Sequence, residues 1–405
     1  MVQCYFGVFA KLRLPIPFLA EKKRGLKIIT AKNAPRSLQY FLSIVICLAA
    51  CYPKLPPTLV SPSPQFPTSP SPLLPTSPSP TPSTSPSPQL PTSTPPIISL
   101  NNAIKLKELA KITFPSWSLV QAILWSPDGE TLAVVAGEDV HFYQAGTLKE
   151  RGVIHVGVWS PSLAFSPDGR LLAAGSRDGK LRVWEIAARK LLPGYPVEAH
   201  RKGVNQVAFS PDGSLIASGG NDGMARLWDV ETYKRVSQMI GGSYAIPAVA
   251  FTPDGVGLAI VNAEVIRFRD VKTGRFIRTL RSDRSIYAIT FNPDGQILAS
   301  SHNDNTISLW DVEKERVLTT LDGHAGVVDT PSALIWQVAF SPDGDLLASA
   351  GGDATLRLWN VATGDLLATL HGHTKAVTSV AFNPDGRSLA SGGLDGTVIL
   401  WEISQ

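Results

Sequence analysis

Residues 204–230 read VNQVAFSPDGSLIASGGNDGMARLWDV. VNQVAF is an alternating run that reads as a strand, and SPDG is a tight turn in which glycine supplies positive φ. SLIASGG is a second strand, NDG a second turn and MARLWDV a third strand. In sister segments a turn such as KTG or ATG then leads into a fourth strand such as RFIRTL or DLLATL. The string aromatic-x-Pro-Asp-Gly returns at Trp125, Phe165, Phe209, Phe251, Phe291, Phe340 and Phe382, at intervals of 40, 44, 42, 40, 49 and 42 residues. Periods of this size built from short strands signal a propeller or solenoid, and four antiparallel strands per period make one blade. The expected fold is all-β: a seven-bladed β-propeller of four-stranded antiparallel blades over residues 99–405.

The third strands end VWEI (183–186), LWDV (227–230), FRDV (268–271), LWDV (309–312), LWNV (358–361) and LWEI (400–403), with a weaker HFYQ at 141–144. Gly-His pairs stand at 323–324 and 372–373, with Ala199-His200 a partial match. In these features the chain resembles the WD-repeat family over about 300 residues. That resemblance implies a buried polar tetrad in three units: His200, Ser218, Asp222 and Trp228; His324, Ser349, Asp353 and Trp359; and His373, Ser391, Asp395 and Trp401. Aspartate would accept from histidine, histidine would meet serine, and serine would meet the indole N–H, so no polar group is buried unpaired. Unit two has Ala174 at the serine position, and unit five keeps Ser300, Asp304 and Trp310 but lacks the loop histidine. Units one and four carry Tyr143 and Arg269 at the tryptophan position. These four blades are expected to lean on apolar packing. The chain ends at its seventh third strand, while AIKLKELAKI (103–112) stands ahead of unit one. The resemblance implies that this amino-terminal strand closes the last blade.

Histidine, serine and aspartate together invite a catalytic-triad reading. A set that recurs in three units has no single substrate pocket, so it is read as structural and the protein as non-catalytic. His141, His155 and His302 have no partners at metal-ligand spacing, and no metal or other cofactor is expected. Resemblance to WD-repeat proteins implies a protein partner at the ring end that bears the fourth-to-first strand loops. The residue four before each repeat aromatic is expected to face that opening: Gln121, Pro161, Asn205, Pro247, Tyr287, Trp336 and Thr378. Arg177, Asn221 and Asn303 are expected on the same face. In unit six Phe340 stands sixteen positions after His324 where in unit seven Phe382 stands nine after His373, an insertion on that face. Arg177, Tyr287, Asp329 and Trp336 are therefore the candidate partner-binding surface, since aromatics and arginine dominate hot spots.

The net charge of +4 is unevenly placed. Residues 1–51 net +7, which leaves −3 for the other 354 (4 − 7). Nucleic-acid binding by the repeat domain is not expected from that balance. All three cysteines, Cys4, Cys47 and Cys51, precede the repeats, which excludes a disulfide or thiolate metal site within them. Residues 38–51, LQYFLSIVICLAAC, are apolar and uncharged, too short for a membrane span of about 20 residues but suited to an export signal. Leu48-Ala49-Ala50-Cys51 resembles the lipobox of bacterial lipoproteins, which implies cleavage before Cys51, acylation of its thiol and a membrane-anchored protein facing the periplasm or cell exterior. A cleaved signal with a chance cysteine, an uncleaved anchor and a buried helix are the other readings of the run. The stretch ahead of it is long for a signal peptide; a start site set too far upstream would explain this. Residues 52–98 hold 17 prolines and 17 serines or threonines with Lys54 the only charge. Such a segment cannot bury enough apolar surface to fold and reads as a stiff, disordered tether. The expected function is a protein-interaction scaffold held at the envelope, with a permanent structural role in an envelope assembly, or a propeller hydrolase, as alternatives.

Overall fold

A computed structural model describes residues 96–115, 118–240, 244–324 and 334–403, all within the unit Leu73–Gln405. The basic segment 1–51, with Cys51, and the tether up to residue 95 lie outside the described residues, as does Asp329. The described residues form seven antiparallel sheets arranged as a closed β-propeller. Blade 1 runs from Val120–Trp125 to Glu150–His155, blade 3 from Val204–Phe209 to Arg235–Ile240, and blade 4 from Val249–Phe251 to Phe276–Arg281. Blade 5 runs from Ile286–Phe291 to Arg316–Leu321 and blade 6 from Ile335–Phe340 to Leu366–His371. Blade 2 begins at Ser162–Phe165, and its fourth strand is broken into Lys190–Leu191 and Val197–Glu198, both paired with Lys180–Glu185. Blade 7 has Val377–Phe382, Ser388–Gly393 and Thr397–Ile403. Its fourth strand is Leu106–Thr113, paired from Leu106 against Ile403 to Thr113 against Thr397 with a register shift between Glu108 and Ala110.

Burial follows from where each strand lies in its blade. Second strands are covered on both faces, so Gly257–Asn262, Leu346–Gly351 and Ser388–Gly393 are buried throughout. Fourth strands form the outer edge and alternate or open to solvent. The third-strand aromatic of a blade packs on the blade before it. Trp228 lies with Ala173 and Val183 of blade 2, Trp310 with Ala259 and Phe268 of blade 4, and Trp401 with Leu346 and Leu358 of blade 6. Tyr143 completes the circle by packing on Ala390 and Leu400 of blade 7. Nearer the channel, a polar side chain on one first strand accepts the backbone N–H of the next. Ser162 takes Val207 N–H at 3.0 Å, Gln206 takes Val249 at 3.0 Å, Gln337 takes Val380 at 3.1 Å and Ser379 takes Ile123 at 2.9 Å.

The Pro-Asp-Gly turns form a second ring of contacts. In blade 3, Ser210 donates to Asp212 (2.5 Å) and accepts from Leu215 N–H (2.9 Å), which locks the turn. Gly213 sits at φ +74°, and a Cβ there would meet Pro167 of blade 2 at 3.4 Å. The same proline-to-glycine contact recurs between successive blades, from Pro127 with Gly169 to Pro342 with Gly386. At the closing junction it changes: Asn383 of blade 7 donates to the Gly129 carbonyl of blade 1 at 3.1 Å. Gly129 also has positive φ, +73°, and a Cβ would run into the Asn383 amide. Gly146 has φ +71° with nothing near it. Gly146→Ala is expected to cost about 1 kcal/mol for the backbone conformation alone. Gly129→Ala should cost roughly 2–3 kcal/mol, because it adds the clash at the seam. Denaturant midpoints of the two variants check this; equal losses would show that the seam contact carries no strain.

Candidate functional site

Three blades place histidine, serine, aspartate and tryptophan in one hydrogen-bonded series. In blade 3, Trp228 Nε1 donates to Ser218 Oγ at 2.9 Å, Ser218 Oγ meets His200 Nε2 at 2.8 Å, and His200 Nδ1 meets Asp222 at 2.8 Å. Blade 6 repeats it, with Trp359 to Ser349 at 2.9 Å, Ser349 to His324 at 2.7 Å and His324 to Asp353 at 3.0 Å. Blade 7 has Trp401 to Ser391 at 2.9 Å, Ser391 to His373 at 2.8 Å and His373 to Asp395 at 3.2 Å. The series runs in one direction, indole to serine to histidine to aspartate, if histidine is neutral with its proton on Nδ1, and the aspartates accept further bonds from Arg226, Thr355 and Thr397. Burial of the His200 ring pushes its pKa below the ordinary value, against the pull of Asp222, which favours that state. Burial alone would raise the Asp353 carboxyl, but hydrogen bonds from His324 and Thr355 outweigh it and bring it to about 2. Ser218, Ser349 and Ser391 are fully buried and already hold an indole N–H. None of them is placed to attack a substrate.

Blade 5 departs from the sequence-based expectation. It lacks the loop histidine, yet it does not fall back on apolar packing alone. His302, from its own second strand, lies 3.1 Å from Ser300 Oγ and 2.9 Å from Ser308 Oγ, while Trp310 donates to Ser300 at 2.8 Å. His302 occupies the sequence position held by Gly220, Gly351 and Gly393 in the regular blades. A Cβ at any of those glycines would run into the loop histidine ring. The two arrangements are therefore mutually exclusive: a glycine admits a ring from the loop, or a histidine fills the space from the strand. With the loop histidine gone, Asp304 pairs instead with Arg284 at 2.5 Å. Blade 2 also replaces rather than abandons its network, since Arg182 bonds Ser176 at 3.0 Å and Asp178 at 2.7 Å. Blade 1 does rest on packing, with Phe114 edge-on to His141 at 4.9 Å and near Tyr143 at 6.4 Å.

The candidate binding face is built by a backbone device. The first strand of five blades carries a β-bulge at its start, and the bulged residue is Gln121, Asn205, Tyr287, Trp336 or Thr378. These are five of the seven positions read from the repeat spacing. At the other two, Pro161 and Pro247 precede the first strand, because proline cannot donate to the ladder. Bulges re-aim a side chain at the rim of a closed sheet. The turn between second and third strands is tied to the same end, as Arg177 N–H donates to Trp159 O, Asn221 to Gly203 O and Asn303 to Ser285 O, each near 3.0 Å. Arg177 is exposed, with its guanidinium carbon 5.5 Å from the Trp159 ring centre. Trp336 is 40% exposed and Tyr287 half-buried. Arg177, Tyr287 and Trp336 thus share one end of the ring, on blades 2, 5 and 6. Asp329 and the insertion around it, 325–333, lie outside the described residues. Sequence reasoning missed Trp159 and Tyr244, which is 53% exposed in the loop entering blade 4. The signal that could have found them is their place in fourth-to-first strand loops.

Several other groups are accounted for. His141 bonds Glu150 at 2.8 Å and His155 bonds Asp139 at 2.6 Å, both as surface pairs. A depression of about 180 Å³ lies among Ser166, Pro167, Leu171 and Gly213, between the turns of blades 2 and 3. Burial drives His302 down to about pKa 4, well below the ordinary value of 6.5. The unfolded chain then binds more protons between those two values, so stability falls as pH drops from about 6.5 toward 4. The full loss is about 3 kcal/mol. His302→Asn is expected to be less stable near neutrality and to lose less on acidification, which urea midpoints measured across that window would show. An unchanged pH slope would remove His302 as its source.

Comparison with known proteins follows the same geometry. The WD domain, G-beta repeat model matches residues 155–185, 193–229, 274–311, 315–360 and 364–402. These matches end in the third strands of blades 2, 3, 5, 6 and 7; blades 1 and 4, which lack the third-strand tryptophan, have none. The chain is similar to WD repeat-containing protein 1 of Gallus gallus, 34% identical over 97 residues, 23% of this chain and 16% of that protein. It is similar to nuclear distribution protein PAC1 of Arthroderma otae, 30% identical over 181 residues, 40% of this chain and 38% of that protein. It is also similar to periodic tryptophan protein 2 of Arabidopsis thaliana, 28% identical over 213 residues, 51% of this chain and 24% of that protein. The aligned segments thus span well under half the length of these relatives. This chain is thus a seven-bladed propeller that carries WD40 repeats in five places and is closed by its own amino-terminal strand.

Proposed function

We propose that this propeller is a non-catalytic protein-interaction module that grips its partner at the bulged end of the ring. The observation that carries the reading is the bulge at Tyr287 and Trp336, which turns two large aromatics out of a ladder that would otherwise hold them. Arg177 over Trp159 adds a cation and a third ring at that end. Rigid aromatic and arginine anchors supply most of the energy in protein interfaces. The chemistry-bearing triplets are consumed in the blades, where their serines are buried, and this supports binding rather than turnover. To test the face, a photo-crosslinking residue is placed at 287 or 336, and separately at exposed Val256 in a turn at the opposite end. Adducts at 287 and 336 but not at 256 are expected in the native host. Once the adduct is identified, Trp336→Ala should weaken its binding by on the order of thirtyfold, as a hot-spot loss of about 2 kcal/mol does. Adducts only at 256 would place the partner on the other face.

The module is further proposed to be tethered to a bacterial envelope through a lipidated Cys51, with residues 52–98 as spacer. The support is sequence pattern alone: the basic start, the apolar run, Leu48-Ala49-Ala50-Cys51 and the proline-rich stretch after it. Two or three acyl chains anchor firmly where one is marginal. Expressed in a host that processes lipoproteins and fed an alkyne fatty acid, the full chain should take label. Cys51→Ala should lose the label and leave the membrane fraction. Absence of label on the parent chain would sink the tether.

A further inference from the structure

We propose that the outer strand of blade 4, Phe276–Arg281, is a docking edge for an extended acidic segment of a partner protein, which adds to the sheet as a fifth strand. This surface lies on the circumference of the ring and is separate from the bulged face.

Three observations coincide there. The strand is the last in its sheet and pairs only with Val265–Asp270, so its outward backbone groups have no ladder partner among the described residues. Its first two side chains are apolar and open: Phe276 is 57% and Ile277 39% exposed, with Val317 and Leu318 similarly open on the outer strand of blade 5. The third observation is charge. Residues 265–284 hold seven lysines and arginines against Asp270 and Asp283, a net of +5. Residues 55–405 as a whole net −4, from the chain's +4 less +7 for residues 1–51 and +1 for Lys54. Some of those cations are committed, since Arg278 donates to Val312 O at 2.6 Å and Arg284 pairs with Asp304. Lys272, Arg275 and Arg281 are exposed and make no side-chain hydrogen bond or ion pair among the described residues.

An open sheet edge is a template for strand addition, and natural sheets usually guard it. Blade 2 guards its edge by breaking the fourth strand, and blade 7 by mixing Lys107, Glu108 and Lys111 along it. Blade 4 instead presents two adjacent large apolar side chains flanked by cations of one sign. Main-chain pairing would give affinity, the apolar pair would seat alternate side chains, and the cations select carboxylates. A lipid surface is the less suitable occupant, because hydrocarbon cannot satisfy the free N–H and C=O groups. The chain's own amino-terminal region is unsuitable as well: residues 1–51 are basic and 52–98 carry a single positive charge.

The probe is a fluorescein-labelled peptide of about ten residues alternating glutamate with valine, read by anisotropy against the full chain. Binding is expected, weakening as salt rises. Arg275→Glu with Arg281→Glu should weaken it by on the order of tenfold, and Phe276→Ser should also weaken it, both with unchanged melting. Arg275→Gln with Arg281→Gln, a milder change, should give an intermediate loss. N-methylation of alternate peptide backbone nitrogens should abolish binding. The proposal is overturned by a probe that does not bind, or by binding indifferent to N-methylation or to the blade 4 substitutions. It is equally overturned if phosphatidylglycerol vesicles bind through Arg275 and Arg281 while the peptide does not.

Discussion

The pairing of Leu106–Thr113 with Thr397–Ile403 is the constraint on which the ring depends. Six blades are assembled from consecutive sequence, whereas the seventh takes three strands from the carboxyl end and one from the amino end. Loop-closure entropy grows only logarithmically with the length enclosed, so joining strands almost 300 residues apart costs about 3–4 kcal/mol more than joining neighbours. The return is large. The pairing covers an open edge and holds Phe114 against His141. It also brings blade 1 to blade 7, where Tyr143 packs on Leu400 and Asn383 donates to Gly129. A strand that belongs spatially to the last blade also fixes the first, because Val120 follows it within a few residues.

Between blades the molecule uses three devices at different distances from the channel. Ser162, Gln206, Gln337 and Ser379 staple inner strands through backbone N–H groups. Prolines and glycines of the turns touch at one end. Third-strand aromatics fill the outer part of the wedge. Blade 4 is where these thin out. It has Arg269 for tryptophan, Ala248 at the staple position and no tetrad, and the same blade gathers cations and solvent-exposed apolar side chains on its edge. A blade released from the repeat's internal chemistry is free to carry surface chemistry, which is the physical link between its weak match to the repeat and its distinctive exterior.

The polar networks show how one geometric problem has more than one solution. A buried tryptophan N–H needs an acceptor, and the serine that supplies it needs a partner in turn. Blades 3, 6 and 7 bring a histidine from the loop and blade 5 brings one from the strand; blade 2, with Ala174 at the serine position, ties Arg182 to Ser176 and Asp178 instead. In blades 3, 5, 6 and 7 what stays constant is the tryptophan-to-serine bond with a histidine beside the serine, while the origin of that histidine differs. This is also why histidine, serine and aspartate in proximity do not make a catalytic centre here. Their lone pairs and protons are spent on one another inside the sheets.

The repeat spacing and the turn residues were enough to derive seven four-stranded blades, because strand alternation and turn chemistry are local properties written at a fixed period; closure by the strand at 103–112 came from the resemblance to the WD-repeat family. The loop-histidine networks followed from the resemblance to the WD-repeat family, with serine, aspartate and tryptophan 9, 13 and 19 residues after Phe209, Phe340 and Phe382, whereas His324 stands 16 residues before its aromatic and His200 and His373 stand 9 before theirs. Positions 287 and 336 could be read from period alone, but their bulged geometry could not. Tertiary structure decided what depends on space rather than on order along the chain. His302 fills the gap that a glycine leaves elsewhere, Arg182 bonds Ser176, Trp159 lies under Arg177, and the outer strand of blade 4 is the last in its sheet with Phe276 and Arg281 exposed. Such features arise where side chains from different loops and neighbouring sheets compete for one volume or one hydrogen bond, and a linear pattern does not record which of them prevails.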